Sequence, residues 1–579
     1  MSQWVNNSVF YHIYPLGFCG CPEYNDGSTV YRLDKLADWI PHLRKMGVNA
    51  LYLGPIFQSL KHGYDTSDYY RIDCRLGDNA SFKKLCEQLH ANGIKIVLDG
   101  VFNHVGRDFW AFKDVQKYGS GSQYCGWFQN LTFNGRSPYD DPFWYEGWSG
   151  HYDLVKLNLQ NQAVVDHLIG AVSMWMDEFG IDGLRLDAAD CIDPNFFRAL
   201  RRFCKGKRDD FWLMGEIIHG DYNRWANPEM MYSVTNYECY KGIYSSHNDK
   251  NYFEIAHSLQ RQFANGGIYK GLCLYNFLDN HDVNRIGSTL RNSAHLKNAY
   301  TVMFTMPGVP SIYYGSEWAI EGMRTRESDQ MLRPCLDLDT PLKKTTTLVP
   351  HISRLSALRR NFRALCEGAY ENVLIRNEQL IFKRTTGDQT VVVALNVNDS
   401  EYWLDFPISG GSLLTDVLVD GSEYRVENNH ANVMIPANGA RVMLLNNGEF
   451  NYRDFAERLE NDTQAGAVEE AQTKEIFAEN LADDESTPVE ETSQIAAKES
   501  QPAEKPKRTA KLGKYRSWDG SMFAVIALAK NTDTDKDALV YKELFNNGLI
   551  FVCDAEGFLE DVEVNGNLVP KFEYVDTDE

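Results

Sequence analysis

Three carboxylates close three separate apolar runs in this chain: Asp187 in Gly183-Leu-Arg185-Leu-Asp187, Glu216 after Met214-Gly215, and Asp282 in Asn280-His281-Asp282. A fourth segment, Asp99-Gly-Val-Phe-Asn103-His104, adds another acid and an imidazole. An acid, a nucleophile and a charge stabiliser are what hydrolysis of a sugar acetal needs. Alternate side chains of a strand share a face, so Arg185 and Asp187 point together while Leu184, Leu186 and Ala188 point away. An arginine beside an aspartate favours the ionised carboxylate, the state in which it attacks a sugar carbon. The competing reading is a barrel-closing salt bridge, with Asp99 as a further partner for Arg185. Like-charge repulsion would keep Glu216 protonated as a general acid, and Gly215 before it leaves room for close approach. Asp282 is suited to stabilising an oxocarbenium-like transition state, with His281 and His104 on sugar hydroxyls; the alternative is a helix N-cap. No His-x-x-x-His spacing suggests a metal site.

The elements that must position these groups recur along the chain. Apolar or β-branched runs lie at 9–14, 50–56, 95–101, 183–189, 211–217, 231–237, 273–279 and 311–315, with helical periodicity at 33–46, 80–92, 162–179 and 294–306. Repeated βα units of this kind predict an α/β fold, a (β/α)8 TIM barrel over residues 1–347, with its functional groups at the carboxyl ends of the strands. Residues 104–152, rich in Trp, Tyr, Gly and Asp, read as an excursion subdomain after strand three. Its aromatics either pack its own core or stack on sugar rings. Alternating strands predict an antiparallel β-sandwich over 348–446. Residues 447–510 read as an acidic flexible linker closed by Lys505-Pro-Lys-Arg508, and 511–579 as a small β domain.

With 579 residues the chain exceeds one core and needs several domains. A net charge of -22 excludes nucleic acid and anionic membrane as natural partners. Neither a basic, apolar leader at Met1 nor a bilayer-length apolar stretch is present, which predicts a soluble, cytoplasmic protein. Twelve cysteines without a Cys-x-x-Cys pair read as reduced thiols.

Taken as an ordered set, these segments resemble the four signature regions of glycoside hydrolase family 13, the α-amylase family, over about residues 8–446. Tyr11-His-Ile-Tyr14-Pro15, His62-Gly-Tyr64-Asp65-Thr-Ser-Asp68-Tyr69 and Val309-Pro-Ser-Ile-Tyr-Tyr-Gly315 match as well. The resemblance implies Asp187 as nucleophile, Glu216 as acid/base and Asp282 as transition-state stabiliser. It also implies that Tyr64 stacks beneath the sugar, that His104, Arg185 and His281 hold it, and that Asp99 and Asn103 support them. Leu154-Val-Lys-Leu-Asn158 and Phe109-Trp-Ala-Phe-Lys-Asp-Val115 look most like cyclomaltodextrinases, maltogenic amylases and neopullulanases. Those enzymes carry an N-terminal dimerisation domain with no counterpart ahead of this first strand, so the oligomeric state stays open. Asp190-Cys191 replaces a Lys-His pair common after the nucleophile, which argues against bound calcium although Asn103 remains; no cofactor is required. Ala188 resembles α-1,4-acting members. The activity implied is retaining hydrolysis of α-1,4 bonds in maltodextrins, starch oligosaccharides or cyclodextrins, with 4-α-glucanotransfer as the alternative and an inactive sugar-binding barrel as the third reading. The Gly-x-Tyr-Arg opening at Gly513 resembles a small bacterial domain family of unknown function.

Overall fold

The computed structural model describes residues 3–459, except residue 327 and residues 340–346, and the strand backbones within 513–575. Of the expected acidic linker over 447–510, residues 452–459 instead form a helix that buries Phe455 and Leu459 in the main core; from 460 onward the linker, with its basic run, lies outside the described residues. The chain divides into two units, 1–484 and 485–579.

Eight parallel strands occupy the eight predicted runs: β1 (Phe10–Ile13), β2 (Ala50–Leu53), β3 (Lys95–Gly100), β4 (Gly183–Leu186), β5 (Trp212–Gly215), β6 (Ser233–Val234), β7 (Tyr275–Phe277) and β8 (Val309–Tyr313). They run β6-β5-β4-β3-β2-β1-β8-β7, and a parallel bridge between Thr235 and Tyr275 joins the two ends into a barrel. Helices α1 (Leu36–Lys45), α2 (Asn79–Ala91), α3 (Gln162–Met174) and α4 (Pro194–Lys207) follow the first four strands. Local chemistry starts them: the Asp78 carboxylate accepts the Ser81 N–H at 2.8 Å at the head of α2, and Pro194 opens α4 behind an Asp193 cap.

The βα alternation breaks once. Residues 216–232, between β5 and β6, hold only the short turn Tyr222–Arg224, whereas α5 (Tyr237–Asn248) and α6 (Phe253–Phe263) both lie between β6 and β7. Gly215 shows how the chain returns directly: a Cβ there would lie 2.6 Å from Met231 Sδ and 2.8 Å from its Cε. The room that Gly215 leaves beside Glu216 is therefore taken by Met231. Helices α7 (Leu296–Thr305) and α8 (Leu348–Asn361) complete the ring.

Strand parity builds the site. Phe10, Ala50, Val97, Trp212 and Met214 point inward as an apolar plug. Two residues further along three of those strands, the inward positions become His12, Tyr52 and Asp99, and Arg185 of β4 lies level with Asp99 in the register. The helix-facing Leu184 and Leu186 are fully buried, as parallel strands covered on both faces require.

After β3, strands His104–Gly106, Gly147–Trp148 and His151–Lys156 form a small antiparallel sheet beside the helix Trp110–Tyr118, so the excursion's own sheet continues to Lys156, past residue 152. Most of its aromatics pack on one another: Phe112 meets Phe128, Phe143 and Tyr145 with ring centroids 5.1, 5.8 and 5.0 Å away.

The sandwich comprises β9 (Ala369–Ile375), β10 (Gln379–Thr385), β11 (Thr390–Asn396), β12 (Tyr402–Pro407), β13 (Leu413–Asp416), β14 (Glu423–Glu427), β15 (His430–Ile435) and β16 (Gly439–Asn446), in the order β9-β10-β11-β16-β13-β14-β15-β12. Ile381, Val392, Leu404, Phe406 and Val433 are among its core residues. In the second unit a five-stranded antiparallel sheet carries Gly513–Ser517 between Met522–Lys530 and Phe572–Val575. No described helix is long and apolar enough to cross a membrane.

Candidate active site

Arg185 is the hub. Its Nη1 lies 2.8 and 2.9 Å from the two oxygens of Asp99 and 3.0 Å from Asp187 Oδ1, and its Nη2 lies 2.8 Å from Glu216 Oε2. Asp99 and Arg185 are partners across the β3–β4 register, while Asp187 and Glu216 sit one residue beyond the ends of β4 and β5. Four charges from three neighbouring strands thus converge, and Arg185 is only 3% exposed. Ala188, in the left-handed region at φ 43°, turns the chain immediately after Asp187 and donates its N–H to Glu216 Oε2 at 3.2 Å.

One guanidinium thus faces three carboxylates. Burial pushes the Asp187 carboxyl well above the usual range; Arg185 opposes that, while Glu216, Asp99 and Asp282 add to it. A pairwise Arg–Asp argument misses this excess of negative charge.

Asp282 is held from the other side. His281 Nε2 lies 3.0 Å from its Oδ2 and Arg333 Nη2 3.1 Å from its Oδ1. Burial alone would raise this carboxyl, but His281, Arg333 and Arg185 together hold it well below the ordinary range. Asp282 caps no helix: the next one, Ile286–Thr289, has Arg285 at its N-cap position, and Asp279 Oδ2 accepts the Ile286 N–H at 2.8 Å.

Around the acids stand the other predicted residues. The partly exposed Tyr64 ring stacks on His281 with centroids 5.6 Å apart, and its hydroxyl contacts His281 Nε2 and, at 3.4 Å, Asp99 Oδ2. Asn103 Nδ2 lies 3.2 Å from His104 Nδ1. Burial pushes the His104 imidazole down to about 3, so the ring is neutral. His281 Nδ1 is buried with no hydrogen-bond partner among the described residues. Trp148, 5.4 Å from the His104 ring, is the excursion's contribution to the site. Asn103 Oδ1 is likewise unpartnered, and among the described residues no group of three or more acidic, histidine or cysteine side chains could hold a metal ion.

Several participants escaped the sequence reading. Tyr52 donates to Asp99 Oδ2 at 2.8 Å, Arg333 lies over the Tyr14 ring at 4.5 Å, and the Tyr237 hydroxyl is 3.4 Å from Glu216 Oε1. Tyr52 lies inside a predicted strand at the level of Asp99, so strand parity could have found it. Arg333 lies 51 residues beyond Asp282 in a segment without regular periodicity, which gave no signal.

Burial depresses histidines away from the site too. On α5, His247 donates from Nδ1 to Ile243 O at 2.7 Å, and its ring is pushed down to about 4 by burial. Unfolded histidine titrates near about 6.5, so below that pH the unfolded chain binds a proton that the folded one refuses. Stability contributed by neutral His247 is present above that pH and is lost as pH falls toward its folded value. In denaturation series at pH 6 and 5, His247→Gln should lose about 1 kcal/mol less than the parent, and equal losses would contradict this account.

Converging carboxylates at the carboxyl end of a closed (β/α)8 barrel, beside the His104 and His281 imidazoles, define a carbohydrate-cleaving barrel enzyme. The family model described as alpha amylase, catalytic domain, matches residues 12–347, and the chain belongs to the α-amylase family of glycosidases. It is 30% identical over 462 residues to the cyclomaltodextrinase of Geobacillus thermopakistaniensis, covering 76% of each chain. With the intracellular maltogenic amylase of Bacillus subtilis it shares 31% identity over 419 residues, 68% of this chain and 69% of that one. The solved cyclic alpha-maltosyl-(1-->6)-maltose hydrolase of Arthrobacter globiformis superposes with a TM-score of 0.65 at 26% identity, covering 76% of this chain and 100% of that one. Residues 513–574 match a second model, a protein of unknown function, DUF1653.

Proposed function

We propose that the barrel is a retaining α-glucan hydrolase that cleaves α-1,4-glucosidic bonds of maltodextrins or cyclodextrins inside the cell. The observation that carries this reading is the single guanidinium shared by Asp187 and Glu216, with Asp282 held apart on His281 and Arg333. In the first step Glu216 protonates the glycosidic oxygen while Asp187 attacks the sugar carbon, forming a covalent glycosyl-aspartate; Arg185 offsets the burial that disfavours the ionised Asp187. Asp282, kept ionised, stabilises positive charge as the bond breaks. Water then attacks, with Glu216 taking its proton. Tyr64, His104, Arg185 and His281 hold the sugar, with Asp99 and Asn103 supporting them. The relatives named cyclomaltodextrinase and intracellular maltogenic amylase support both the substrate class and the compartment.

The purified chain incubated with concentrated maltotriose should release glucose and maltose, resolved by chromatography. Accumulating longer oligomers would assign it instead to 4-α-glucanotransfer by the same residues, and no turnover of linear or cyclic dextrins would refute both. Retention calls for carboxyl groups about 5 to 5.5 Å apart, so the first product released should be the α-anomer, detectable by NMR before mutarotation.

A further inference from the structure

The two oxygens of Glu216 are not equivalent. Oε2 faces Arg185 Nη2 at 2.8 Å and the Ala188 N–H at 3.2 Å. Two donors on one oxygen, one of them charged, make it the oxygen that holds negative charge rather than the proton. Oε1 faces the Tyr237 hydroxyl at 3.4 Å.

Asn280 sets the direction of that contact. Its Oδ1 accepts the N–H of Asp282 at 2.8 Å and of Val283 at 3.1 Å, which fixes the amide so that Nδ2 faces the Tyr237 oxygen at 3.0 Å. An amide NH2 only donates, so the Tyr237 oxygen accepts from Asn280 and its own hydrogen is directed to Oε1. The phenol is also rigidly mounted. Tyr237 opens α5 directly after Asn236, whose N–H bonds Tyr275 O at 2.9 Å where the barrel closes, and whose Nδ2 donates to Asn276 Oδ1 at 3.0 Å. Its ring meets Phe277 edge-on at 4.9 Å. Burial raises the hydroxyl far above its ordinary range, with Glu216 and Asp282 adding to the effect, so it remains a donor wherever the enzyme works.

The geometry points to Tyr237 as the positioning residue that aims Oε1, the proton-bearing oxygen of Glu216, at the glycosidic oxygen. This rests on Glu216 being the acid/base. As the glycosidic C–O bond breaks and Asp187 bonds to the sugar carbon, the proton passes from Oε1 to the departing oxygen. When water attacks and the sugar–Asp187 bond breaks, Oε1 takes the water's proton. Tyr237 donates to Oε1 in both steps, more strongly to the ionised form, and surrenders no proton of its own.

Tyr237→Phe removes only the hydroxyl. On maltotriose its kcat should fall about tenfold with KM within about a factor of two. On a nitrophenyl maltoside, whose leaving group scarcely needs protonation, the loss should be under about threefold. The alkaline limb of the kcat/KM profile should move up by roughly half to one pH unit. Parent-like kcat with an unmoved limb overturns the proposal, as does a change confined to KM or an equal loss on both substrates. If instead Glu216→Gln retains turnover of maltotriose, the acid/base assignment itself has failed, which keeps the two failures distinguishable.

Discussion

Asp187→Ala should lower kcat on maltodextrins by roughly 10⁴-fold or more, the scale on which losing a nucleophile acts, while the protein melts no earlier than its parent. The pairing of these outcomes separates chemistry from architecture. Were Asp187 the second half of a structural salt bridge, removing it would strand a buried guanidinium and cost stability. Arg185 is not stranded here: Asp99 remains on Nη1 at 2.8 and 2.9 Å, and Glu216 on Nη2 at 2.8 Å. What disappears is one of three carboxylates crowding a single cation, a carboxylate whose ionised form burial already disfavours. The isosteric Asp187→Asn, which leaves no cavity, should therefore melt at the parent's temperature or roughly 2 °C or more above it, with turnover still lost. Scanning calorimetry beside an assay of released reducing ends reads both quantities. An inactive Asp187→Asn that melts several degrees early would return the residue to a structural role, and an active one would remove it from the mechanism.

The barrel and its acids were legible in the sequence because parallel strands covered on both faces must be written as apolar runs, and because parity along such a run fixes which side chains share the lumen. Arg185 and Asp187 followed from that rule. The missing helix after β5 depends on Met231 packing over Gly215, a contact between residues that no periodicity links. The crowding of acids around Asp187 escaped a pairwise reading for the same physical reason. Charge balance in a buried site is a sum over every element that reaches it, and β3, β4 and β5 each contribute an acid, at or just beyond their ends, to one cation. Tyr237 and Arg333 act through geometry that only closure of the barrel and return of the loops create.

That charge balance makes Arg185 the residue whose loss the fold should feel most. Arg185→Met removes the shared cation but fills much of its space, leaving Asp99, Asp187 and Glu216 facing one another in a site from which water is largely excluded. Breaking a buried ion pair from one side costs about 3–5 kcal/mol, and three acids depend on this arginine. The folded variant can relieve the repulsion only by binding protons, which puts the proton affinity of these carboxyls above that in the unfolded chain. A group whose folded pKa is raised contributes stability at low pH and loses it as pH climbs through the folded value. Arg185→Met should therefore be destabilised most at neutral pH and should recover toward the parent as pH falls to about 5, opposite in sign to the acid loss caused by His247. Adding Asp99→Asn removes one unpaired charge and should restore part of the stability at pH 7 without restoring activity. The two substitutions must couple, because both act on the same electrostatic sum. A variant whose urea midpoint stays close to the parent's at pH 7, or falls further at pH 5, would mean that the three carboxylates find their counter-charge elsewhere, and that Arg185 is not the cation on which the site is built.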